Sequence, residues 1–473
     1  MNFIKTKNPL KSTLLFGVFS ALRSGISLLL LPIFLNYLSP EDYGIVSIVI
    51  IYSTIVAVVG SLGLRSALYT FYFDYDNTDK LKEYLSNLFS VHLISFFLIV
   101  CIHLLIGDTI YELLFSSNQL SFYNYGLIAL LSVFFDTLNS LYFIFLKNEV
   151  NLKVYFRYTL GIIILTAFFQ IILITQYDLK ATGLLLGALI PNFIIFVLIS
   201  FSNSYLFQFK FKKSVLYPSL NYSLKLLPFL LFFAFENQIG KYLIELNLGL
   251  KDVGLYTLLI KIFGILAISV NALDDGIRPF LYRDLNEGKS TINKYFNLYC
   301  GFGIMVLVII NTIGFNLEYI IKNAEYLVIQ EYFFLGSIVF LLIIPVRFYG
   351  LMLVYYKESL KLSAVTFVKV ILMVLLMIYL IPKYEIYGAL YALLISYVIN
   401  IVIYVFFLFK KVNLIPKLKT FIFTILFIFG TYCIYNQELI INKLFFTTIY
   451  VSITIFLFAV FYIKDGKTLV KPE

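Results

Sequence analysis

Long apolar runs separated by short polar corners recur from one end of this 473-residue chain to the other. At about 1.5 Å per residue, 18 or more apolar residues in a helix cover most of a ~30 Å hydrocarbon layer. Read this way, the chain predicts fourteen membrane-spanning helices. They cover 12–35, 44–64, 84–106, 122–146, 158–176, 181–202, 226–247, 253–273, 297–316, 332–356, 362–381, 386–409, 420–437 and 444–463. The first follows Lys5, Lys7 and Lys11 as a signal peptide would. It is too long and lacks a small-residue cleavage site, so it reads as an uncleaved anchor.

Within this pattern one corner occurs twice. Leu38-Ser39-Pro40-Glu41-Asp42-Tyr43-Gly44 reappears 210 positions later as Leu248-Gly249-Leu250-Lys251-Asp252-Val253-Gly254. The helix after each copy carries small or polar residues at helical spacing. The first stripe is Gly44, Ser47, Ile51, Thr54, Val58, Ser61 and Arg65; the second is Gly254, Thr257, Lys261, Gly264, Ile268, Asn271 and Asp275. A second corner is also repeated: Gln176-Tyr177-Asp178-Leu179 with Gly183, and Lys383-Tyr384-Glu385-Ile386 with Gly388. Spans 1–6 and 7–12 are therefore expected to form two lobes in parallel order, 1–205 and 206–411, with 412–473 as a two-helix appendage. A repeat of several membrane helices is a transporter signature.

Composition supports a membrane chain. Hydrophobic residues make up 61% and charged residues 13%, against roughly 25% charged in a soluble domain. The net charge of +10 does not indicate nucleic acid, because the basic residues flank the spans on one side. With the N-terminus inside, the outer corners hold only Lys180, Lys251, Lys322, Lys383 and Lys443. That bias places both termini in the cytoplasm. No connection is long enough for a catalytic domain, and Cys101, Cys300 and Cys433 lie in separate apolar runs without metal or disulfide spacing. His92 and His103 share span three and read as packing residues.

The chemistry resides in charges inside the spans. A charged side chain at mid-bilayer costs about 2.5–3.5 kcal/mol, so it faces a partner or a water-filled cavity. Arg23 and Arg347 are near the midplane; Lys241, Lys261 and Lys369 lie closer to one end, within reach of snorkelling. Only six arginines occur beside 30 lysines, yet two are mid-membrane and Arg65 and Arg278 end spans two and eight. Arg keeps its charge in a low-dielectric site and grips phosphate oxygens in a fork. The balance is positive, so an anionic guest is expected, and a pyrophosphate head group suits it. Candidate binding residues are Arg23, Arg347, Lys261, Lys369, Lys241 and Arg65. Asp136 and Glu236 either pair with the arginines or carry a coupling H⁺ or Na⁺. No metal, organic cofactor or ATP-binding loop is expected.

The first corner, with Pro32 before it and Gly60-Ser61-Leu62-Gly63-Leu64 after it, resembles that of bacterial polysaccharide-unit flippases. Leu226-Leu227-Pro228 and Gly249-Leu250-Lys251-Asp252-Val253-Gly254-Leu255-Tyr256 also look like theirs. These proteins share a superfamily with lipid II flippases and multidrug and toxin extrusion transporters. The resemblance implies an all-α integral membrane fold of two six-helix lobes around a central cavity. It implies a polyprenyl-pyrophosphate-linked oligosaccharide as substrate, for O-antigen or capsule assembly. Polysaccharide assembly proteins would be partners and the bacterial cytoplasmic membrane the location. Other lipid-linked glycans of the teichuronic acid or lipid II type are alternatives. A multidrug exporter, a membrane glycosyltransferase or polymerase, and a scaffold or channel are the competing classes.

Overall fold

The computed structural model describes residues 26, 30–75, 78–209, 211–236, 238–287, 292–409, 418–435 and 443–458. Most of the first expected span, including Arg23, lies outside the described residues. Among those residues the chain is helical and contains no strand. Among the described residues ten helices are long and apolar enough to cross a membrane, and one of them, Leu360–Leu408, holds two of the expected spans. The protein is a multi-pass membrane protein.

Two compact units are resolved, Met1–Gly254 and Leu255–Glu473. The first contains α1 (Leu31–Tyr37), α2 (Pro40–Gly60), α3 (Leu64–Phe71), α4 (Thr78–Leu114), α5 (Leu127–Asn148), α6 (Leu152–Thr175), α7 (Lys180–Ser202), α8 (Lys213–Glu236) and α9 (Ile239–Leu248). Helix α10 (Leu250–Asn286) starts in the first unit and continues into the second.

The repeated corner is a helix start. Ser39 Oγ accepts from the Asp42 amide at 3.1 Å, and Asp42 Oδ2 accepts from the Ser39 amide at 3.0 Å. This reciprocal capping box satisfies two amides that the first turn of α2 leaves without intrahelical partners. Pro40 occupies the first helical position, where no amide is needed, and Glu41 and Asp42 complement the helix dipole. In the second copy Gly249 takes φ 93°, open to glycine at little cost, before α10 begins.

The two copies meet. A Cβ on Gly44 would overlap the carbonyl oxygen of Leu250, and one on Gly254 would overlap that of Pro40. Under the 210-residue repeat Gly44 corresponds to Gly254 and Pro40 to Leu250, so the contacts exchange as across a two-fold axis. Only glycine allows this backbone approach. A neighbouring seam ties α4 to α9. Glu245 is buried, and its Oε1 accepts from the amides of Ser116 at 2.9 Å and Ser117 at 3.0 Å, and from Ser116 Oγ at 2.9 Å. Tyr242 Oη donates to the Leu114 carbonyl at 3.0 Å, taking up one of the open carbonyls at the end of α4.

The second repeated corner also has a shared geometry. Asp178 and Glu385, equivalent in the motif, both take positive φ (49° and 53°), which few non-glycine residues adopt.

Two expectations change. The span expected at 226–247 is two helices, α8 and α9, with the break between Glu236 and Ile239. Pro218 and Pro228 already remove two backbone donors from α8. The segments 65–83 and 274–296, read as connections, are largely helical; α4 and α10 each run 37 residues. In the second unit Asp274 and Arg278 form an i,i+4 pair at 2.5 Å that supports the polar end of α10. Spans eleven and twelve follow one another in α14, Ser359–Leu408, and a kink at the non-helical Glu385 separates them between 381 and 386, as expected.

The other helices of the second unit are α11 (Ile292–Phe315), α12 (Phe333–Leu341), α13 (Ile343–Tyr355), α15 (Leu418–Tyr435) and α16 (Lys443–Phe458). Phe263 anchors its core, stacked on Phe340 with centroids 4.7 Å apart, while Gly336 makes room for the ring. The last two helices pack on α11, and α15 does so through buried polar pairs, Asn297 with Thr420 and Asn311 with Thr431.

Candidate functional site: a basic cavity

A cavity of ≈ 830 Å³ lies in the first unit. Helix α2 contributes Thr54 and Val58, its C-cap Ser61 follows, and Arg65 comes next on α3. These four belong to the stripe predicted from helical spacing. Helix α5 adds Asp136, Ser140, Phe143, Ile144 and Lys147, again one face at helical spacing. Leu230, Phe233 and Ala234 of α8 line it with Gln238 at the helix break.

The turn between α2 and α3 sets the position of Arg65. Leu62 and Gly63 take φ 49° and 68°, and the chain re-enters a helix at Leu64. Leu64, Leu68 and Ala67 are buried, which leaves Arg65, Ser66 and Tyr69 to face the cavity. Among the described residues the Arg65 guanidinium makes no hydrogen bond or ion pair. Lys147 Nζ lies 5.3 Å above the ring of Tyr155, which is buried. Two cations thus line the cavity against one carboxylate, Asp136. Desolvation raises the Tyr69 phenol above its usual range, with smaller contributions from Tyr155 and, in the opposite sense, Arg65. Tyr69 is a neutral donor at physiological pH.

The rest of the α5 face holds the site in place. Asn139 is buried and donates to the Asn192 carbonyl at 2.9 Å, fixing α5 against α7. His92 is buried and bonds Thr137 Oγ1 at 2.9 Å; His103 bonds Tyr52 Oη at 2.6 Å. Both histidines pack helices together, as expected. Among the described residues no cluster of ligating side chains could hold a metal ion.

The structure brings Arg65 and Asp136 together. Lys241 and Glu236, in the same unit, do not line this cavity, although Lys241 Nζ donates to Gln238 Oε1 at 3.3 Å. Glu236 ends α8 rather than sitting mid-helix. In the second unit Lys261 is half-buried, Lys369 Nζ lies 6.0 Å from the Tyr397 ring centroid, and Arg347 is exposed on α13. Arg23 lies outside the described residues. Sequence reasoning missed Lys147, counted there as a flanking charge. Its spacing of eleven residues from Asp136, three helical turns, was the available signal.

Residues 36–273 match the model of a family described as polysaccharide biosynthesis protein. The chain belongs to this family. Its fold is that of several transporters. A lipid II flippase, MurJ, in an inward closed conformation aligns over 97% of this chain and 99% of its own, with TM-score 0.68 and 16% identity. An inward-facing multidrug resistance MATE family transporter of the MOP superfamily aligns over 83% and 96%, with TM-score 0.58 and 14% identity. A MOP superfamily transporter from Pyrococcus furiosus, described as having a binding pocket of reversed polarity, aligns over 86% and 97%, with TM-score 0.53 and 13% identity. No curated protein matches the chain. At these identities the likeness is one of fold, and polysaccharide biosynthesis comes from the family match.

Proposed function

We propose that this member of the polysaccharide biosynthesis family is a flippase. It moves a polyprenyl-pyrophosphate-linked oligosaccharide across the bacterial cytoplasmic membrane by alternating access, for O-antigen or capsule-type assembly. The observation that carries the reading is the basic cavity, in which Arg65 and Lys147 outweigh Asp136. An Arg fork and a Lys point charge match adjacent phosphates, and each is worth more in a desolvated site than in water. The polyprenyl tail stays in lipid while the head group occupies the cavity. Both termini are cytoplasmic and the lobes are 1–205 and 206–411; Lys241, Lys261, Arg347 and Lys369, which do not line this cavity, and Arg23 remain candidate binding residues. Asp136 beside the cations is the first candidate for H⁺ or Na⁺ coupling, with Glu236 the second.

A multidrug exporter shares the fold, but a cationic drug calls for the opposite charge balance. Purified protein in detergent distinguishes the two. It should bind a short-chain polyprenyl pyrophosphate at least tenfold more tightly than the polyprenyl alcohol, and Arg65→Ala should remove that difference. Tight binding of a lipophilic cation with no preference for the pyrophosphate would replace the flippase reading with the exporter.

A further inference from the structure

Phosphate chemistry accounts for the cations of the cavity but not for its remaining surface. Helix α3 carries Arg65 and, one turn on, Tyr69, so both side chains lie on one face about 6 Å apart at Cβ. Both line the cavity. The two tyrosines there differ sharply: Tyr155 is 2% exposed beneath Lys147, whereas Tyr69 is 48% exposed. Among the described residues the Tyr69 ring stacks on no other aromatic ring. Hydrogen-bonding groups line the same cavity. Ser61 and Ser66 are on the same wall, and Ser61 Oγ gives its proton to the Val58 carbonyl at 3.1 Å, leaving lone pairs to accept. Gln238 Oε1 is occupied by Lys241, which leaves the Gln238 amide NH₂ as a donor.

A pyranose has an apolar C–H face and a rim of hydroxyls. A half-exposed aromatic ring beside hydroxyls and an amide offers the complement of both. Position then decides which sugar is read. A phosphate held at Arg65 places the sugar bonded to it one ring-width along α3, at Tyr69. Sugars farther out pass beyond this face. An aromatic ring that could have been buried, like Tyr155, is instead open beside Arg65, which makes no hydrogen bond or ion pair among the described residues.

We infer that Tyr69 is a specificity-determining residue that recognises the sugar joined directly to the pyrophosphate, with little recognition of more distal sugars. This rests on the flippase reading of the same cavity. The test measures binding of four short-chain probes to the full-length protein in detergent. They are the bare polyprenyl pyrophosphate and its glucosyl, galactosyl and N-acetylglucosaminyl forms. At least one sugar should tighten binding about tenfold over the bare probe, the size of one good aromatic contact. Tyr69→Ala should erase that gain and leave the bare probe unchanged, while Tyr69→Phe should keep most of it. A second sugar added to the preferred probe should change affinity less than twofold. A gain that survives Tyr69→Ala, no gain with any sugar, or equal loss of all probes in Tyr69→Ala would each overturn the inference. Arg65→Ala should weaken all four probes alike. If it weakens none, the pyrophosphate reading fails on that arm, whatever Tyr69 does.

Discussion

Glu245 offers a quantitative test of how the repeated corner is held. Its buried Oε1 receives three donors from Ser116 and Ser117, across nearly 130 residues of sequence. Hydrogen bonds to a charged acceptor contribute about 1.5–3 kcal/mol each when counted singly. Three donors sharing one oxygen do not add, and Ser116 is exposed, so its amide regains water when the carboxylate goes. Glu245→Ala should therefore cost about 2–3 kcal/mol rather than the sum. Glu245→Gln keeps an acceptor oxygen and loses the charge assistance, so about 1 kcal/mol is expected. Ser116→Ala removes the hydroxyl donor alone. In a double-mutant cycle it should couple to Glu245→Ala by about 1 kcal/mol. Reversible unfolding in SDS–detergent mixtures reads the wild type and all four variants. A coupling energy indistinguishable from zero, or Glu245→Gln as costly as Glu245→Ala, would mean the seam does not rest on this carboxylate.

Gly44→Ala and Gly254→Ala should each destabilise by about 1–3 kcal/mol, because the new methyl meets backbone that cannot rotate away. The double variant should cost less than their sum, since one seam is opened only once; full additivity in the same unfolding assay would argue against a shared contact. Lys147→Ala should weaken binding of the bare pyrophosphate probe severalfold, and Lys147→Arg should restore most of it; a neutral Lys147→Ala would remove it from the site. If Asp136 carries the coupling ion, Asp136→Asn should bind the probe normally yet lose acceleration by an imposed ion gradient in vesicles. Retained acceleration would make Asp136 a structural counter-charge to the cations.

Much of this molecule was legible in its sequence because membrane insertion leaves a strong signal. Hydropathy located the spans, since each backbone must satisfy its hydrogen bonds within a helix. The Ser39–Asp42 box and the two glycines were visible as a repeat, and the structure supplies their cause: a cap and a backbone contact. The stripe ending in Arg65 was read as one face, and its last four members line the cavity. Other features depend on tertiary partners. Hydropathy averages over the break after Glu236, because α8 and α9 are both apolar. The extension of α4 and α10 into polar sequence escaped for the opposite reason, as a polar helix resembles a connection. Glu245 lies one turn from Lys241 in the sequence, but its partners, Ser116 and Ser117, follow the end of α4. Lys147 looked like a flanking charge because its role follows from which way α5 faces.

The central claim is that cavity cations carry an anionic lipid-linked head group across the membrane. Protein reconstituted in vesicles with a polyprenyl-pyrophosphoryl sugar, its accessibility outside read by an impermeant sugar-modifying enzyme, tests this directly. The wild type should expose inner-leaflet probe much faster than protein-free vesicles. Arg65→Ala with Lys147→Ala should reduce the rate to background while the protein remains folded, and Arg65→Lys should retain part of it. Full-rate flipping by the double alanine variant would contradict the account.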